Sequence, residues 1–202
     1  MTDVVIVPTG TANLASVAAG FSRLGCRVRV TSDVTAIADA TAVVVPGVGS
    51  FGTAMTALDA SGASDGLRTR IDRDRPTLCV CVGFQVLGHS STESPESTGL
   101  GVVDGRIVAL PPGGSVPQLG WNRVETDSGA RVLCDGWAYF ANSYRLAAVP
   151  GDWVGAWTHH GGRLVAGIER GAIVGCQFHP ELSGAYGSGV LGRWLDVVRE
   201  VA

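Results

Sequence analysis

The sequence contains no lysine, since all 15 of its basic residues are arginine. A Schiff base to pyridoxal phosphate or to an aldolase substrate needs a lysine amine, and a Walker A phosphate-binding loop needs its lysine. Neither kind of site can therefore be built from this chain. Excess positive charge is also lacking, because the formal net charge is -3 and the isoelectric point is about 5.7. This balance argues against nucleic-acid binding as the main function.

Long apolar runs and a basic leader are missing as well. No stretch approaches the roughly 18 apolar residues that a membrane-spanning helix needs, and Met1-Thr2-Asp3 lacks the basic residues that begin a signal peptide. The five cysteines are an odd number without the spacing of a disulfide framework, which fits a reducing compartment. We therefore expect a soluble, cytoplasmic protein that does not bind a membrane.

Short β-branched runs alternate with helix-like stretches in the first half of the chain. A helical pattern covers residues 13–24, and the apolar runs cover residues 4–7, 27–31, 43–45 and 77–82. Strands separated by stretches of helix length predict crossover connections and a parallel sheet. Glycine accounts for 29 of the 202 residues, about twice its usual share, so tight turns should be frequent.

After residue 91 the chain is divided by Gly and Pro into shorter segments. Strand-like segments, several of them suited to antiparallel pairing, fall at residues 102–103, 106–110, 137–141, 164–168 and 173–178. Residues 187–200 show a helical pattern with an apolar stripe at Val190, Leu191, Trp194, Leu195 and Val198. We therefore predict one α/β domain over residues 1–202, with an open, mostly parallel sheet flanked by helices and an added antiparallel portion in the second half.

Cys81 ends an apolar run and is followed by Gly83 and a helical pattern. A nucleophile on a sharp turn from strand to helix is held exposed at the sheet edge, and the positive end of the helix favours its thiolate. The alternative is that Cys79 and Cys81 are both small buried hydrophobic residues, as free cysteines often are. A zinc site that joins both cysteines to His159 and His160 fits poorly, because structural zinc ligands usually come from turns with longer spacers.

The second candidate is the pair of His179 and Glu181, which flank Pro180. Proline forces the preceding residue into an extended conformation, so the two side chains are expected to project to one side of the chain. There His179 can accept a proton while Glu181 orients it and stabilises its charged form, as a cysteine nucleophile requires. Without a nucleophile nearby, the same residues would be a surface histidine beside a solvated glutamate.

A glycine-rich loop with the sequence PGVGSFG, at residues 46–52, directly follows a predicted strand. Its glycines allow backbone amides to approach a substrate closely or to adopt a positive φ. One such amide and the N–H of Val82 could form an oxyanion hole. Taken alone, such a loop is more often a plain turn, and its spacing does not fit a dinucleotide-binding fingerprint.

Together these segments resemble the class I glutamine amidotransferases, which use a Cys-His-Glu triad. The turn CVGFQ at residues 81–85 and the segment QFHPE at residues 177–181 are typical of the whole class. Within the class, the chain is most similar to the glutaminase subunit of imidazole glycerol phosphate synthase. The segments that carry this similarity are TGTANL at 9–14, PGVGSFG at 46–52, PQLGWN at 117–122 and YFANSY at 139–144.

The resemblance implies that Cys81 attacks the side-chain amide of L-glutamine, releases ammonia and leaves a thioester that water hydrolyses to glutamate. His179 would act as acid and base, and Glu181 would orient it. The resemblance also implies a cyclase subunit as partner, which receives the ammonia through a channel, and it implies no cofactor and no metal. It implies that the oxyanion donors are the backbone amides of Val48 and Val82. The residues that hold glutamine would be Gly49, Gln85, Ser143 and Tyr144. The residues at the partner interface would be Asn13, Leu119, Trp121 and Asn122.

The chain departs from the family at a few positions. Cys79, Val82 and Phe84 are small or apolar replacements in the cysteine turn, which leave the chemistry intact. Leu182 replaces a basic residue that the family commonly uses at the cyclase interface, so an ion pair from this position to the cyclase is not expected here.

Three other functions remain as alternatives to this glutaminase subunit. They are a glutaminase that serves an anthranilate, guanylate or pyridoxal phosphate synthase, a non-catalytic regulatory module on the same fold, and a cysteine hydrolase on a related sheet.

Overall fold

The computed structural model describes residues 1–10 and 13–201, so Thr11 and Ala12 of the segment at 9–14 lie outside the described residues. The strands of the described residues are β1 (Asp3–Ile6), β2 (Arg27–Val30), β3 (Ala42–Gly47), β4 (Thr77–Cys81), β5 (Ser90–Ser91), β6 (Arg106–Ala109), β7 (Gln118–Thr126), β8 (Gly136–Asn142), β9 (Tyr144–Leu146), β10 (Val154–His159), β11 (Arg163–Arg170) and β12 (Ile173–Cys176). They form a nine-stranded sheet in the order β2-β1-β3-β4-β12-β11-β10-β7-β8, with a small sheet of β5, β6 and β9.

Helices connect the strands of the first half and close the chain. They are α1 (Leu14–Arg23), α2 (Val34–Asp39), α3 (Phe51–Ser61), α4 (Ala63–Asp72), α5 (Val82–Gln85) and α6 (Gly184–Glu200), with a 3-10 turn at Pro180–Leu182. The ring of Phe21 on α1 meets that of Trp194 on α6 edge-on, with 5.8 Å between the centroids. The predicted apolar stripe of α6 is buried at all five positions, and no helix of the described residues has the length and apolar character needed to cross a membrane.

The first half of the sheet is parallel, and this half positions the site. Strands β2, β1, β3, β4 and β12 are parallel neighbours, with Gly47 opposite Cys81 and Cys176 opposite Val80. Parallel strands end at the same edge of a sheet, so the residues that follow β3, β4 and β12 come together there. The chain therefore brings residues near 48, 81 and 177 to one place, although they are far apart in sequence.

The second half of the sheet, from β12 through β11, β10 and β7 to β8, is antiparallel, and the predicted α/β class is confirmed. The strand predicted at residues 102–103 is wrong, because Val102 and Val103 lie in a loop. Val103 is buried there, so its apolar character reflects packing of the loop. Strands β7 and β10 were not predicted, since glycine and polar residues interrupt the apolar pattern of both.

Arg70 ties helix α4 to the neighbouring loops from inside the protein. Its side chain is fully buried, and among the described residues its guanidinium hydrogen-bonds a hydroxyl and backbone carbonyls but no carboxylate. At 2.6 to 3.2 Å its guanidinium donates to the hydroxyl of Thr77 and to four backbone carbonyls, those of Ile37, Ala40, Thr41 and Pro76. A planar guanidinium with five N–H groups can serve all of these acceptors at once. These hydrogen bonds connect α4 to the C-terminal end of α2 and to the start of β4.

Candidate active site

Cys81 lies on a strained turn between β4 and α5. It is the last residue of β4 and the N-cap of α5, with φ 55° and ψ -114°. A positive φ is uncommon for a residue that carries a side chain, and such strain is often found at functional sites. Gly83 permits the turn, because a Cβ at this position would lie 1.9 Å from the carbonyl oxygen of Val45. The predicted sharp turn is therefore present, and it is built against β3.

His179 is fixed to the edge strand β8 by its backbone. The N–H of His179 donates to the carbonyl of Tyr139 at 2.9 Å, and the hydroxyl of Ser183 donates to the carbonyl of His179 at 2.6 Å. His179 is extended, as Pro180 predicts, but the next residues form a 3-10 turn and not an extended segment. This turn, and not the alternation of a strand, brings Oε1 of Glu181 to 2.9 Å from Nδ1 of His179.

The three side chains are withdrawn from solvent, and His179 contacts both Cys81 and Glu181. Cys81 is 3% exposed, and the side chains of His179 and Glu181 are each 6% exposed. Burial lowers the pKa of His179. Hydrogen bonds to Cys81 and Glu181 and the negative charge of these partners raise it by more, so that the pKa is about 10. The imidazolium form is therefore favoured between a sulfur and a carboxylate. This arrangement can move a proton to and from the sulfur.

The neighbouring cysteines are in a different situation. Cys79 and Cys176 are fully buried, and burial raises the pKa of both thiols. Cys79 is thus the small buried hydrophobic residue that the sequence offered as the alternative, whereas Cys81 opens into a cavity. Within the described parts of the chain, no group of three or more His, Cys, Asp or Glu side chains is arranged to hold a metal ion.

A cavity of about 270 Å³ lies beside Cys81, and we call it the elbow cavity. Parts of the chain from both halves of the sheet line it: Val48, Gly49, Cys81, Val82, Gln85, Glu93, Pro117, Leu119, Ala141, Asn142, Ser143, Tyr144 and His179. The predicted oxyanion donors and glutamine-binding residues are therefore all in its wall. Its volume is at the low end of the range for ligand pockets, and its wall combines apolar, amide and carboxylate groups. The cavity suits a small polar molecule.

The predicted partner-interface residues are not all in one place. Leu119 and Trp121 are large apolar residues that are 67% and 52% exposed on β7, and Leu119 also lines the elbow cavity. Asn122 lines a separate cleft of about 350 Å³ together with Trp137 and Trp157. Asn13 caps helix α1, where its side chain accepts from the N–H of Ser16 at 3.2 Å.

Glu93 and Gln177 lie at the site but were given no role there from the sequence. Glu93 lines the elbow cavity and accepts from the N–H of Phe51 at 2.7 Å, at the start of α3. The side-chain amide of Gln177 donates to the sulfur of Cys81 at 3.6 Å. Glu93 lies in a polar loop without an informative pattern, so the sequence carried no signal for it. Gln177 lies two positions before His179, and this proximity was the available signal.

Comparison with known proteins agrees with this geometry. The model of the family "Glutamine amidotransferase class-I" matches residues 5–191. The chain is 39% identical over 199 residues to imidazole glycerol phosphate synthase subunit HisH of Methanothermobacter thermautotrophicus, covering 97% of this chain and 99% of the relative. It is 43% identical over 195 residues to the subunit of the same name from Methanopyrus kandleri, covering 95% and 96%.

Solved structures share the fold at low sequence identity. A crystal structure of a glutamine amidotransferase superimposes with a TM-score of 0.78 at 18% identity and covers 96% of this chain and 98% of the other. The structure of PurLQS from Thermotoga maritima gives a TM-score of 0.75 at 17% identity, covering 96% and 98%. These two similarities concern the fold alone.

Proposed function

Since the chain belongs to the class I glutamine amidotransferase family, we propose that it is the glutaminase subunit of an imidazole glycerol phosphate synthase in histidine biosynthesis. It hydrolyses L-glutamine to glutamate and ammonia and supplies the ammonia to a cyclase subunit. The observation that carries the glutaminase reaction is the contact of His179 with both Cys81 and Glu181, with Cys81 and His179 in the wall of the elbow cavity. The similarity to the two HisH subunits supports imidazole glycerol phosphate synthase as the enzyme to which the subunit belongs.

The reaction proceeds in two steps that use one proton carrier. The sulfur of Cys81 attacks the side-chain amide carbon of glutamine, the C–N bond breaks, and His179 gives a proton to the departing ammonia. A glutamyl thioester remains on Cys81. Water then attacks the thioester carbonyl while His179 takes its proton, and the C–S bond breaks with its electron pair passing to the sulfur. Glu181 orients the imidazole and stabilises its positive charge.

The wall of the elbow cavity supplies the groups that this substrate needs. The backbone N–H groups of Val48 and Val82 stabilise the oxyanion of the two tetrahedral intermediates. Gly49, Gln85, Ser143 and Tyr144 hold the glutamine. Glu93 adds a carboxylate that suits the α-ammonium group of an amino acid, since oppositely charged groups attract strongly in a partly buried site.

The exposed apolar residues near the cavity suit a protein partner. Leu119, Trp121 and Leu182 are 67%, 52% and 46% exposed, and the Trp121 ring packs edge-on against Tyr139 with 6.1 Å between centroids. Exposed aromatic anchors of this kind carry much of the binding energy in protein interfaces. We assign this surface to the cyclase subunit, together with Asn13 and Asn122.

The five cysteines, all free, suit a cytoplasmic reaction.

The test of the glutaminase is glutamate release from glutamine, measured for the chain alone and with the cyclase subunit carrying its nucleotide ligand. We expect strong release with the liganded cyclase, and we expect Cys81→Ala to abolish it with an unchanged circular dichroism spectrum. Cys134→Ala, which removes a half-buried thiol outside the elbow cavity, should retain activity. Glutamate release by Cys81→Ala would contradict the triad.

The cyclase partner is tested separately. Trp121→Ala should weaken binding to the cyclase and ammonia transfer more than it lowers the melting temperature. Val201→Ala removes an apolar side chain that is 58% exposed and lies beside Arg73 and Asp74, outside both the elbow cavity and the cleft lined by Asn122, and this variant should bind the cyclase normally. Glutaminase activity that does not respond to the cyclase would reassign the chain to another synthase. No activity under either condition would favour the non-catalytic module.

A further inference from the structure

The sulfur of Cys81 has a second buried neighbour besides His179. Gln177 is 1% exposed, and its side-chain Nε2 donates to Sγ of Cys81 at 3.6 Å. The parallel pairing of β12 with β4 explains this contact, because Cys176 lies opposite Val80 and the next residue of each chain segment is therefore adjacent. Residues opposite each other on parallel strands project to the same face. The contact is thus a product of the sheet register.

The direction of this hydrogen bond is fixed by a backbone group. Nε2 of Gln85 donates to the carbonyl oxygen of Tyr144 at 3.0 Å, and a carbonyl can only accept. The same Nε2 is 3.0 Å from Oε1 of Gln177, so Gln177 must present its oxygen to Gln85. Its amide nitrogen then necessarily faces the sulfur. The series of hydrogen bonds from Tyr144 through Gln85 to Gln177 therefore directs an N–H group of Gln177 at the sulfur of Cys81.

A neighbouring thiol shows the opposite arrangement. The sulfur of Cys176 lies 3.8 Å from the carbonyl oxygen of Cys79, so it acts as a donor and needs its proton. The sulfur of Cys81 instead accepts an N–H from Gln177. An N–H donor binds an ionised acceptor about twice as strongly as a neutral one. The surroundings of Cys176 therefore favour the thiol, whereas Gln177 favours the thiolate at Cys81.

We propose that Gln177 is a further catalytic residue, which holds and stabilises the thiolate of Cys81 through its side-chain N–H. This inference rests on the proposed glutaminase function and deepens it. In the first step Gln177 keeps the free thiolate directed into the elbow cavity. In the second step the C–S bond breaks and the electron pair returns to the sulfur, so the same N–H stabilises the leaving group. Gln177 exchanges no proton, since an amide N–H is a donor only.

The experiment measures the alkylation of Cys81 by iodoacetamide between pH 5 and 10, read by mass spectrometry of the Cys81 peptide. This readout requires a reactive thiolate and no glutamine turnover. Gln177→Glu keeps the shape and an oxygen for Gln85 but replaces the N–H with an oxygen. Gln177→Met keeps approximate length and removes both polar atoms. Gln118→Met removes another fully buried glutamine, on β7, which forms no hydrogen bond with the sulfur among the described residues.

We expect the alkylation rate at pH 7 to fall about tenfold in Gln177→Met, as expected for loss of a hydrogen bond to a charged group. The fall should be larger in Gln177→Glu, and both pH profiles should move to higher pH. Gln118→Met should keep the wild-type profile. Glutamate release by the Gln177 variants in complex with the cyclase should show a lower kcat with a smaller change in KM.

Several outcomes separate this inference from the function it rests on. Wild-type pH profiles in the folded Gln177 variants would overturn it, whether or not glutamine is hydrolysed. If the profiles of the Gln177 variants shift but the wild type hydrolyses no glutamine, the role of Gln177 at the sulfur is supported and the glutaminase function is refuted. If one variant does not fold, the other gives the answer, because either removes the N–H group. An equal shift in Gln118→Met would also overturn the inference.

Discussion

Glu181→Gln tests whether a negative charge behind His179 drives the reaction. The substitution keeps the shape and an oxygen that can accept from Nδ1 of His179, at 2.9 Å in the structure, and removes the charge. Two unit charges at this separation attract by about 6 kcal/mol at an effective dielectric constant of about 20. Solvent screens little of this, since both side chains are 6% exposed. If the neutral amide recovers half of this attraction, the stabilisation of the charged His179 falls by about 3 kcal/mol, which corresponds to roughly a hundredfold lower kcat.

The assay is glutamate release at saturating glutamine and liganded cyclase. KM should change less than kcat, because Glu181 lies behind His179 and outside the wall of the elbow cavity. Titration of His179 by NMR should give a pKa below the value of about 10 that Cys81 and Glu181 together support in the wild type.

The matched control is Glu200→Gln. It removes a carboxylate whose ion pair with Arg131 is more than half exposed on both sides, and exposed pairs contribute little. This variant should keep the wild-type kcat. If folded Glu181→Gln retains kcat within about threefold of wild type, less than 1 kcal/mol in the barrier, the charge of Glu181 does not drive the reaction.

Three further predictions concern stability. Gly83→Ala should lower the free energy of unfolding in urea by more than about 3 kcal/mol, because the new Cβ would meet the Val45 carbonyl. Gly192→Ala, with open space around the new Cβ, should raise it by about 0.5–1 kcal/mol. Similar effects of the two substitutions would refute this reasoning. Arg70→Met should cost about 4 kcal/mol by leaving buried acceptors unpaired, and a loss under about 1 kcal/mol would contradict it. Because the pKa of His179 rises from 6.5 to about 10, its stabilisation is complete below pH 6.5 and lost through pH 10. The unfolding free-energy gap between wild type and His179→Asn should therefore shrink over that interval, and a constant gap would refute the shift.

The sequence by itself determined the local elements and the residue types of the site. The apolar runs that became β1, β3 and β4 are flanked by turn residues, and the stripe of α6 repeats at helical spacing, so hydrophobic burial allowed few other arrangements. Cys81 before Gly83, and His179 before Pro180, carried signals because glycine and proline restrict the backbone at defined positions.

Only the tertiary structure decided which distant groups meet. The 3-10 turn that brings Glu181 to His179, the placement of Glu93 in the elbow cavity and the separation of Asn122 from it all depend on packing between segments far apart in the chain. The hydrogen bond from Gln177 to Cys81 depends on the register between β12 and β4. Local sequence cannot encode such a register alone, because a slip by one residue turns every side chain of a strand to the opposite face.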